Sequence, residues 1–321
     1  MNSYVIETHG LTKTYGEVNS VSNLSIHVKK GRIYGLLGRN GAGKTTTMRM
    51  LLGLTAPSSG EIKIWGRPLR GSEKKILPRV GSLIESPGFY PNLTGTENLR
   101  IFADLRGLKG PRFIKDALEV VNLPYWDKKL FSQYSLGMKQ RLAIALAVMH
   151  NPELLILDEP INGLDPIGIA EMRGFIRELC DSTGKTILIS SHILSEVQAV
   201  CQTILIISKG KLVACDSPEN LERLFAGTAT VNLVVEAQEK NIRGILQDIS
   251  GLVKIHTKPM EDGCCQVQVE LEGHDDRKAC RDLFFAFSRA NSPILQMSAA
   301  KASLEDIFLE LTQEEKEESA K

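Results

Sequence analysis

The stretch Gly38-Arg39-Asn40-Gly41-Ala42-Gly43-Lys44-Thr45 decides how the first part of the chain folds. It matches the pattern G-x-x-x-x-G-K-[ST], follows the apolar run Ile33–Leu37 and precedes a predicted helix over Thr45–Leu52. In a strand–loop–helix of this kind, backbone N–H groups surround the phosphates of a nucleotide and the helix N-terminus adds partial positive charge. Lys44 supplies a full charge between the phosphates, and Thr45, with Thr46 beside it, supplies a hydroxyl for Mg²⁺. The sequence therefore predicts a nucleotide phosphate site.

A second signal is the stretch Leu154-Leu155-Ile156-Leu157-Asp158-Glu159-Pro160, in which a hydrophobic strand ends in two carboxylates. Beside the phosphate loop, Asp158 can hold the shell of a Mg²⁺ ion. Glu159 follows at the mouth of the strand, where a carboxylate can orient an attacking water or accept its proton. The two signals together predict nucleotide hydrolysis.

Composition limits the remaining functions. The 39 basic and 38 acidic residues leave a net charge of +1, which gives no electrostatic argument for a nucleic-acid partner. The longest apolar run, Leu142–Met149, is far short of the roughly 18–20 residues that span a bilayer, so we expect no membrane crossing. The six cysteines form no CxxC pair, which indicates reduced thiols in a cytosolic protein rather than a metal site.

The order of predicted elements indicates an α/β fold with two domains. Residues 1–217 alternate β-rich runs with helices, and residues from about 86 to 150 are predicted to form a helical subdomain. The predicted strands are Tyr4–Glu7, Val21–Val28, Ile33–Leu37, Ile62–Trp65, Leu154–Leu157, Ile187–Ile189 and Ile204–Ile207. Helix starts are predicted at the capping box of Thr94 and Glu97, at Pro111, and at Asp165-Pro166, whose helix ends at Gly184.

Residues 218–321 are predicted to form a small α+β domain. After a short helix at Glu219–Phe225, the pattern βαββαβ favours a ferredoxin-like unit. Its predicted elements are Thr228–Val235, Ile242–Ile249, Val253–Thr257, Cys265–Leu271, Arg277–Ala290 and Ile294–Ser298. A last helix is predicted from Ser303 to about Thr312, followed by a charged tail at Gln313–Lys321.

Over roughly residues 4–215 the sequence resembles the ATP-binding subunits of ABC transporters, a P-loop fold with a mixed sheet and a helical subdomain. Tyr134-Ser135-Leu136-Gly137-Met138 resembles the family signature LSGGQ, of which Ser135 and Gly137 are kept. The resemblance implies that Asn162-Gly163-Leu164-Asp165 is the D-loop. It also implies that His192 contacts the γ-phosphate and that Tyr15 stacks on adenine.

Glu85 stands where the family usually has a glutamine that reaches Mg²⁺ and the attacking water. This Glu, the altered signature and the C-terminal extension resemble one branch, the ATPase subunits of exporters that protect bacteria against bacitracin and lantibiotics. The branch implies a catalytic and metal-binding role for Glu85; the alternative is that it is a spectator acid on the loop.

The resemblance implies a mechanism that uses ATP and Mg²⁺. Two copies of the chain, or one copy and a related subunit, enclose the nucleotides, and Ser135 and Gly137 complete the site of the opposite subunit. Glu159 promotes hydrolysis, while His192 and Lys44 stabilise the charge on the transferred phosphoryl group. Closure then drives a separate ABC-2-type membrane permease from the cytoplasmic face of the membrane.

Several alternatives remain open at this stage. Phe89 and Tyr90 are candidate residues of the permease-docking surface, but the same rings can pack locally against the helix at Thr94. A soluble ATPase acting on ribosomes or DNA and a non-hydrolysing nucleotide-gated scaffold are competing functions. Within the transporter hypothesis, the exported substrate can be an antimicrobial peptide or another drug, a lipid or an ion.

Overall fold

The computed structural model describes residues 4–85, 87–225, 228–260, 263–273 and 276–300. These residues divide into two compact units, with the boundary between Pro218 and Glu219. The helix predicted from Ser303 and the charged tail lie outside the described residues. No helix among the described residues has the length and apolarity to cross a bilayer.

Two sheets form the first unit. The strands are β1 (Tyr4–Tyr15), β2 (Val18–Leu24), β3 (His27–Lys29), β4 (Ile33–Leu37), β5 (Ser59–Ile64), β6 (Arg67–Pro68), β7 (Val80–Leu83), β8 (Leu154–Leu157), β9 (Thr186–Ser191), β10 (Thr203–Ser208) and β11 (Lys211–Asp216). The helices are α1 (Lys44–Leu51), α2 (Glu73–Ile76), α3 (Gly95–Leu105), α4 (Arg112–Val120), α5 (Leu136–Val148), α6 (Pro166–Thr183) and α7 (Leu194–Val200). Helix α8 (Pro218–Phe225) begins at the last residue of the first unit, and its other residues belong to the second unit.

The central sheet has the order β11-β10-β4-β9-β8-β7, in which only β11 is antiparallel to its neighbour. Strands β4, β8 and β9 are fully buried, which explains why none of them contains a charged residue and why β8 is aliphatic throughout. Because parallel strands end at the same edge of a sheet, the loops that follow β4, β9, β8 and β7 lie along one edge. This edge carries the predicted phosphate loop and the predicted catalytic residues.

The outer sheet has the order β2-β1-β5-β6, with β3 pairing to β1. The prediction of one strand over Val21–Val28 is wrong, because β2 ends at Leu24 and β3 begins at His27. The buried Thr8 hydroxyl explains the break: it donates to Leu24 O at 2.9 Å and accepts from Ile26 N at 3.0 Å. Trp65 likewise leaves the predicted strand, since it has a φ of +50° beyond the end of β5.

Helices α3, α4 and α5 pack together between β7 and β8 in the chain. Thr94 and Glu97 form the predicted capping box of α3, and Ser135 caps α5 by accepting from Met138 N at 3.3 Å. Helix α5 is buried on all sides from Leu142 to Val148, which accounts for its continuous apolar run.

Phe89 does not belong to the predicted permease-docking surface, because it is buried. Its ring is 7% exposed and packs edge-on against Phe102 and Phe131, with centroids 5.6 and 5.1 Å away. Burial of such a ring contributes about 1.5–3 kcal/mol to stability, so Phe89 is a core residue of the helical region. Tyr90, in contrast, is 52% exposed and remains available to a partner.

The second unit contains β12 (Thr228–Val235), α9 (Glu239–Leu246), β13 (Leu252–Pro259), β14 (Cys265–Glu272), α10 (Asp276–Arg289) and β15 (Ile294–Ala300). This is the βαββαβ order predicted from the sequence, folded as an antiparallel sheet with the order β13-β14-β12-β15. Alternate residues of β14 are buried, and Leu283 and Phe287 of α10 belong to the same core. The predicted helix Ile242–Ile249 begins earlier, at Glu239, and ends at Leu246.

Candidate functional site

The phosphate loop joins β4 to α1 with a backbone that requires glycine at two positions. Gly43 has a φ of +102°, and a Cβ there would meet Ser20 O at 2.4 Å. A Cβ on Gly38 would meet Ile207 O at 2.5 Å. The tip of the loop is exposed at Arg39, Asn40 and Gly41. The loop is therefore packed against protein backbone on one side and open to solvent on the other. Such a loop fits an anionic ligand that binds along its backbone.

The Lys44 side chain lies inside this loop and is only 5% exposed. Its Nζ donates to Gly38 O at 2.8 Å and to Arg39 O at 3.3 Å, and lies 3.5 Å from Glu159 Oε1. A buried ammonium needs partners of this kind. A phosphate would be a stronger partner for the Lys44 ammonium than these carbonyls are. The loop carbonyls and Glu159 hold the ammonium close to the position where the phosphate would bind.

Asp158 and Thr45 meet as the sequence predicts. Thr45 Oγ1 donates to Asp158 Oδ2 at 2.8 Å, and Ser190 Oγ donates to the other carboxylate oxygen, Oδ1. Both Asp158 and Thr45 offer hard oxygen ligands, which are the ligands that Mg²⁺ prefers. The donor set therefore fits a magnesium ion beside the phosphate loop.

Glu159 lies at the centre of a contact network. Its Oε2 accepts from Asn162 Nδ2 at 3.1 Å and from His192 Nδ1 at 3.1 Å, while Oε1 faces Lys44. A carboxylate only accepts, so Nδ1 of His192 carries the proton and Nε2 is left for another contact. Glu159 has a φ of +46°, and its backbone N–H donates to Ser190 Oγ at 2.9 Å. Backbone strain of this kind is typical of functional positions.

Serine hydroxyls are the site residues that the sequence does not reveal. Ser190, at the end of β9, joins Asp158 to the backbone of Glu159. Ser20, on β2, lies 2.9 Å from Thr46 through the two hydroxyl oxygens and so connects α1 to the outer sheet. Only the position of Ser190 directly after a strand at the same edge could have suggested it.

Glu85 lies on the loop after β7, with its carboxylate paired to Arg49 in the last turn of α1. The side chain is 67% exposed, and the residue has a φ of +62°. The structure thus connects Glu85 to the helix that follows the phosphate loop, but places its carboxylate on Arg49 and not on Thr45 or Asp158.

The predicted signature lies apart from the phosphate loop. Ser135, Gly137 and the D-loop residues Gly163, Leu164 and Asp165 line an open cleft of about 480 Å³. Among the described residues, no residue of the phosphate loop lines this cleft. Tyr134 is buried, and a Cβ on Gly95 would meet its hydroxyl at 2.6 Å. The tyrosine that departs from the family signature is therefore a packing residue.

Tyr15 ends β1 and is 50% exposed, with Lys13 Nζ 4.9 Å from its ring centroid. An exposed ring of this kind has a free face for a planar base. The P-loop fold, the Lys44–Glu159–His192 network and the paired Thr45 and Asp158 define a P-loop nucleotide-binding protein.

Comparison with known proteins narrows this class. The family model described as ABC transporter matches residues 21–162. A bacitracin transport ATP-binding protein of Enterococcus faecalis is 56% identical over 210 residues, which are 65% of this chain and 68% of that protein. A lantibiotic transport ATP-binding protein of Streptococcus pyogenes is 43% identical over 224 residues, which are 69% of this chain and 96% of that protein.

Among solved structures, an ATP-binding subunit of an ABC transporter superimposes with a TM-score of 0.61 and 30% identity, over 69% of this chain and 93% of that one. The chain belongs to the ABC transporter family and is one of its ATP-binding proteins. The predictions of the P-loop ATPase fold, of an ATPase and of the resemblance to the bacitracin and lantibiotic branch are confirmed.

Proposed function

We propose that the chain is the ATPase subunit of an exporter of antimicrobial peptides of the bacitracin or lantibiotic type. The observation that carries the proposal is the 56% identity to a bacitracin transport ATP-binding protein. In this proposal, the peptide binds a separate ABC-2-type permease, and the chain acts on that permease from the cytoplasmic face of the membrane.

In the proposed reaction, Glu159 orients a water for attack on the γ-phosphate of ATP and accepts its proton as the bond to ADP breaks. Lys44 and His192 stabilise the charge that develops on the transferred phosphoryl group. Support comes from the contacts of Glu159 with both residues, since one carboxylate oxygen faces each of them.

Thr45 and Asp158 are the proposed ligands of Mg²⁺. When bound, the ion neutralises charge on the β- and γ-phosphates. Glu85 is proposed as a third metal-site residue, and it can reach that role only by leaving Arg49. Its ion pair is exposed and worth at most about 1 kcal/mol, so the exchange is energetically accessible.

A dimer completes the proposed site. The phosphate loop contacts a nucleotide from one side, and the Ser135 cleft contains none of its residues. Ser135 and Gly137 therefore serve a nucleotide held by a second subunit, identical or related, with the free N–H groups of α5 facing its γ-phosphate. ATP favours closure because its γ-phosphate contacts both subunits, whereas ADP lacks that group.

Export is tested with the complete transporter. The tagged chain is isolated from its native membranes with its co-purifying permease and reconstituted in liposomes, and ATPase activity is measured with bacitracin, with a lantibiotic and with an unrelated peptide. We expect the first two to change the rate of hydrolysis and the Glu159→Gln complex to respond to none. If the unrelated peptide and the antibiotics have the same effect, the proposed substrate class is wrong.

A further inference from the structure

Three potential metal ligands converge on the outer sheet, outside the nucleotide site. Glu7 and His9 are two residues apart on β1, so their side chains project to the same face. Glu7 is also the register partner of His27 on β3. One ligand atom from each side chain lies within 4.8 Å of the other two. This Glu7–His9–His27 cluster is a product of strand pairing, since 18 residues separate His9 from His27.

The cluster is accessible from solvent. His9 and His27 are exposed and Glu7 is half-buried, while Ile6 and Val28 face the core from the other side of the sheet. The two imidazole rings have centroids 5.8 Å apart at an angle of 72°. Two nitrogens bound to one tetrahedral zinc ion are about 3.4 Å apart, so small rotations of two exposed rings bring the ligands into place.

Two neighbouring charges on β5 offset each other beside the cluster. Lys63 is the partner of Glu7 on β5 and Glu61 is the partner of His9. Lys63 Nζ lies 3.1 Å from Glu61 Oε2, and this ion pair offsets the ammonium charge beside Glu7. Two imidazoles and one carboxylate form the ligand set, which is the kind that binds zinc and other first-row transition metals.

We propose that Glu7, His9 and His27 form a zinc site, with water completing the coordination. The metal joins β1 to β3 and stabilises the first unit, because an ion that binds only the folded state shifts the folding equilibrium. The site is independent of the Mg²⁺ ligands Thr45 and Asp158, which lie on α1 and after β8.

The test is the number and affinity of zinc sites in the full-length chain, measured by competition with a chromophoric chelator and with Mg²⁺ in large excess. The variants are His9→Gln, His27→Gln and Glu7→Gln. His256→Gln is the matched control, since His256 is an exposed histidine on β13 outside the cluster. ATP affinity of each variant shows whether it is folded.

We expect each histidine variant to bind zinc at this site at least about tenfold more weakly, so that one site is lost from the titration. Glu7→Gln is expected to weaken zinc binding at the same site. The zinc-dependent rise in Tm is lost in the same variants and kept in His256→Gln. An unchanged number of zinc sites in folded His9→Gln and His27→Gln variants would overturn the proposal, as would a wild-type chain that binds no zinc at micromolar concentration.

Discussion

Glu159 illustrates how a single residue combines strain, hydrogen bonding and charge. Its backbone has a positive φ, and its carboxylate faces Lys44, His192 and Asn162. A glutamine keeps the shape and one oxygen that can accept from Asn162 and His192, but it lacks the negative charge beside Lys44 and cannot act as a general base. A substitution of Glu159 therefore distinguishes ATP binding from ATP hydrolysis.

We expect Glu159→Gln to bind ATP as the wild type does and to lose at least about a hundredfold in kcat, which is the usual contribution of a general base. Nucleotide affinity and single-turnover hydrolysis measure the two effects. Glu119→Gln, at an exposed acid on α4, is the control and leaves the rate unchanged. Wild-type turnover in Glu159→Gln would assign the base to another residue.

Glu85 and Arg49 form an exposed ion pair between the loop after β7 and α1. Glu85→Gln removes the negative charge that pairs with Arg49. We expect ATP affinity to stay within about twofold and stability within about 1 kcal/mol. Because Glu85 is a proposed metal-site residue, we expect the Mg²⁺ dependence of hydrolysis or its coupling to transport to shift.

A matched control exists in Glu153→Gln, which breaks the exposed pair with Arg79 far along the sequence from the phosphate loop. Hydrolysis at varied Mg²⁺ concentration and transport by the reconstituted complex are the measurements. If Glu85→Gln and Glu153→Gln behave alike in both assays, Glu85 is a spectator acid.

His150, after α5, is held neutral by its surroundings. Burial, followed by the nearby Arg106 guanidinium, lowers the pKa of His150 from 6.5 to about 4. Its Nε2–H donates to Val80 O at 3.1 Å, which leaves Nδ1 to accept from Arg106. The unfolded chain therefore binds a proton between pH 6.5 and 4 that the folded chain does not.

Stability should accordingly fall as the pH drops from 6.5 to 4, and this residue accounts for up to about 3 kcal/mol of the loss. His150→Gln removes this contribution to the dependence of the unfolding free energy on pH. The glutamine keeps a side-chain N–H that can donate to Val80 O. Urea unfolding at several pH values in this window checks the prediction. Equal slopes for the variant and the wild type would show that His150 titrates normally in the folded chain.

At the scale of elements, strand and helix patterns predicted much of the central sheet. Ile33–Leu37 and Leu154–Leu157 match β4 and β8 residue for residue, because a strand buried on both faces is a continuous run without charged residues. The caps at Thr94, Ser135 and Asp165 also follow from local chemistry. Local sequence therefore fixed the position of the phosphate loop and the acidic strand end.

Features that depend on tertiary contacts escaped prediction. The pairing of Glu85 with Arg49 and the bridge of Ser190 to Asp158 each join segments distant in sequence. The packing of Phe89 against α3, in contrast, is one of the two alternatives that the sequence left open. The register of β1 against β3, which places Glu7 opposite His27, arises from the pairing of two separate strands and follows from no local sequence pattern. Side-chain contacts of this kind can be identified only from the three-dimensional structure.

Helix α5 provides a prediction at this scale. Ser135→Ala removes its cap, whose hydrogen bond is long at 3.3 Å, so we expect a stability loss of less than about 1 kcal/mol. Hydrolysis should fall much further, since Ser135 contributes to the second subunit's site in the proposed dimer. Thr94→Ala, which removes the capping box of α3, is the control: it loses similar stability and keeps basal hydrolysis.

Chemical denaturation and steady-state ATPase assays on both variants separate the two effects. Equal losses of activity in Ser135→Ala and Thr94→Ala would reduce Ser135 to a structural cap.

At the scale of the whole molecule, the proposed dimer requires that one chain supplies two halves of different nucleotide sites. The phosphate loop and Glu159 lie at the edge of the central sheet, and Ser135 lies in a cleft that contains no phosphate-loop residue among those described. The central claim is that ATP joins two such subunits. A negative charge at Ser135 tests this claim separately from folding. It stabilises the N-terminus of α5 within the single chain, but it repels the γ-phosphate of a nucleotide held by a second subunit.

The most direct test is the molar mass of Glu159→Gln in solution by light scattering, with ATP and with ADP. We predict a dimer with ATP, a single chain with ADP, and a single chain with either nucleotide when Ser135→Glu is added. A single chain at saturating ATP, together with wild-type hydrolysis that is independent of protein concentration, would contradict the account.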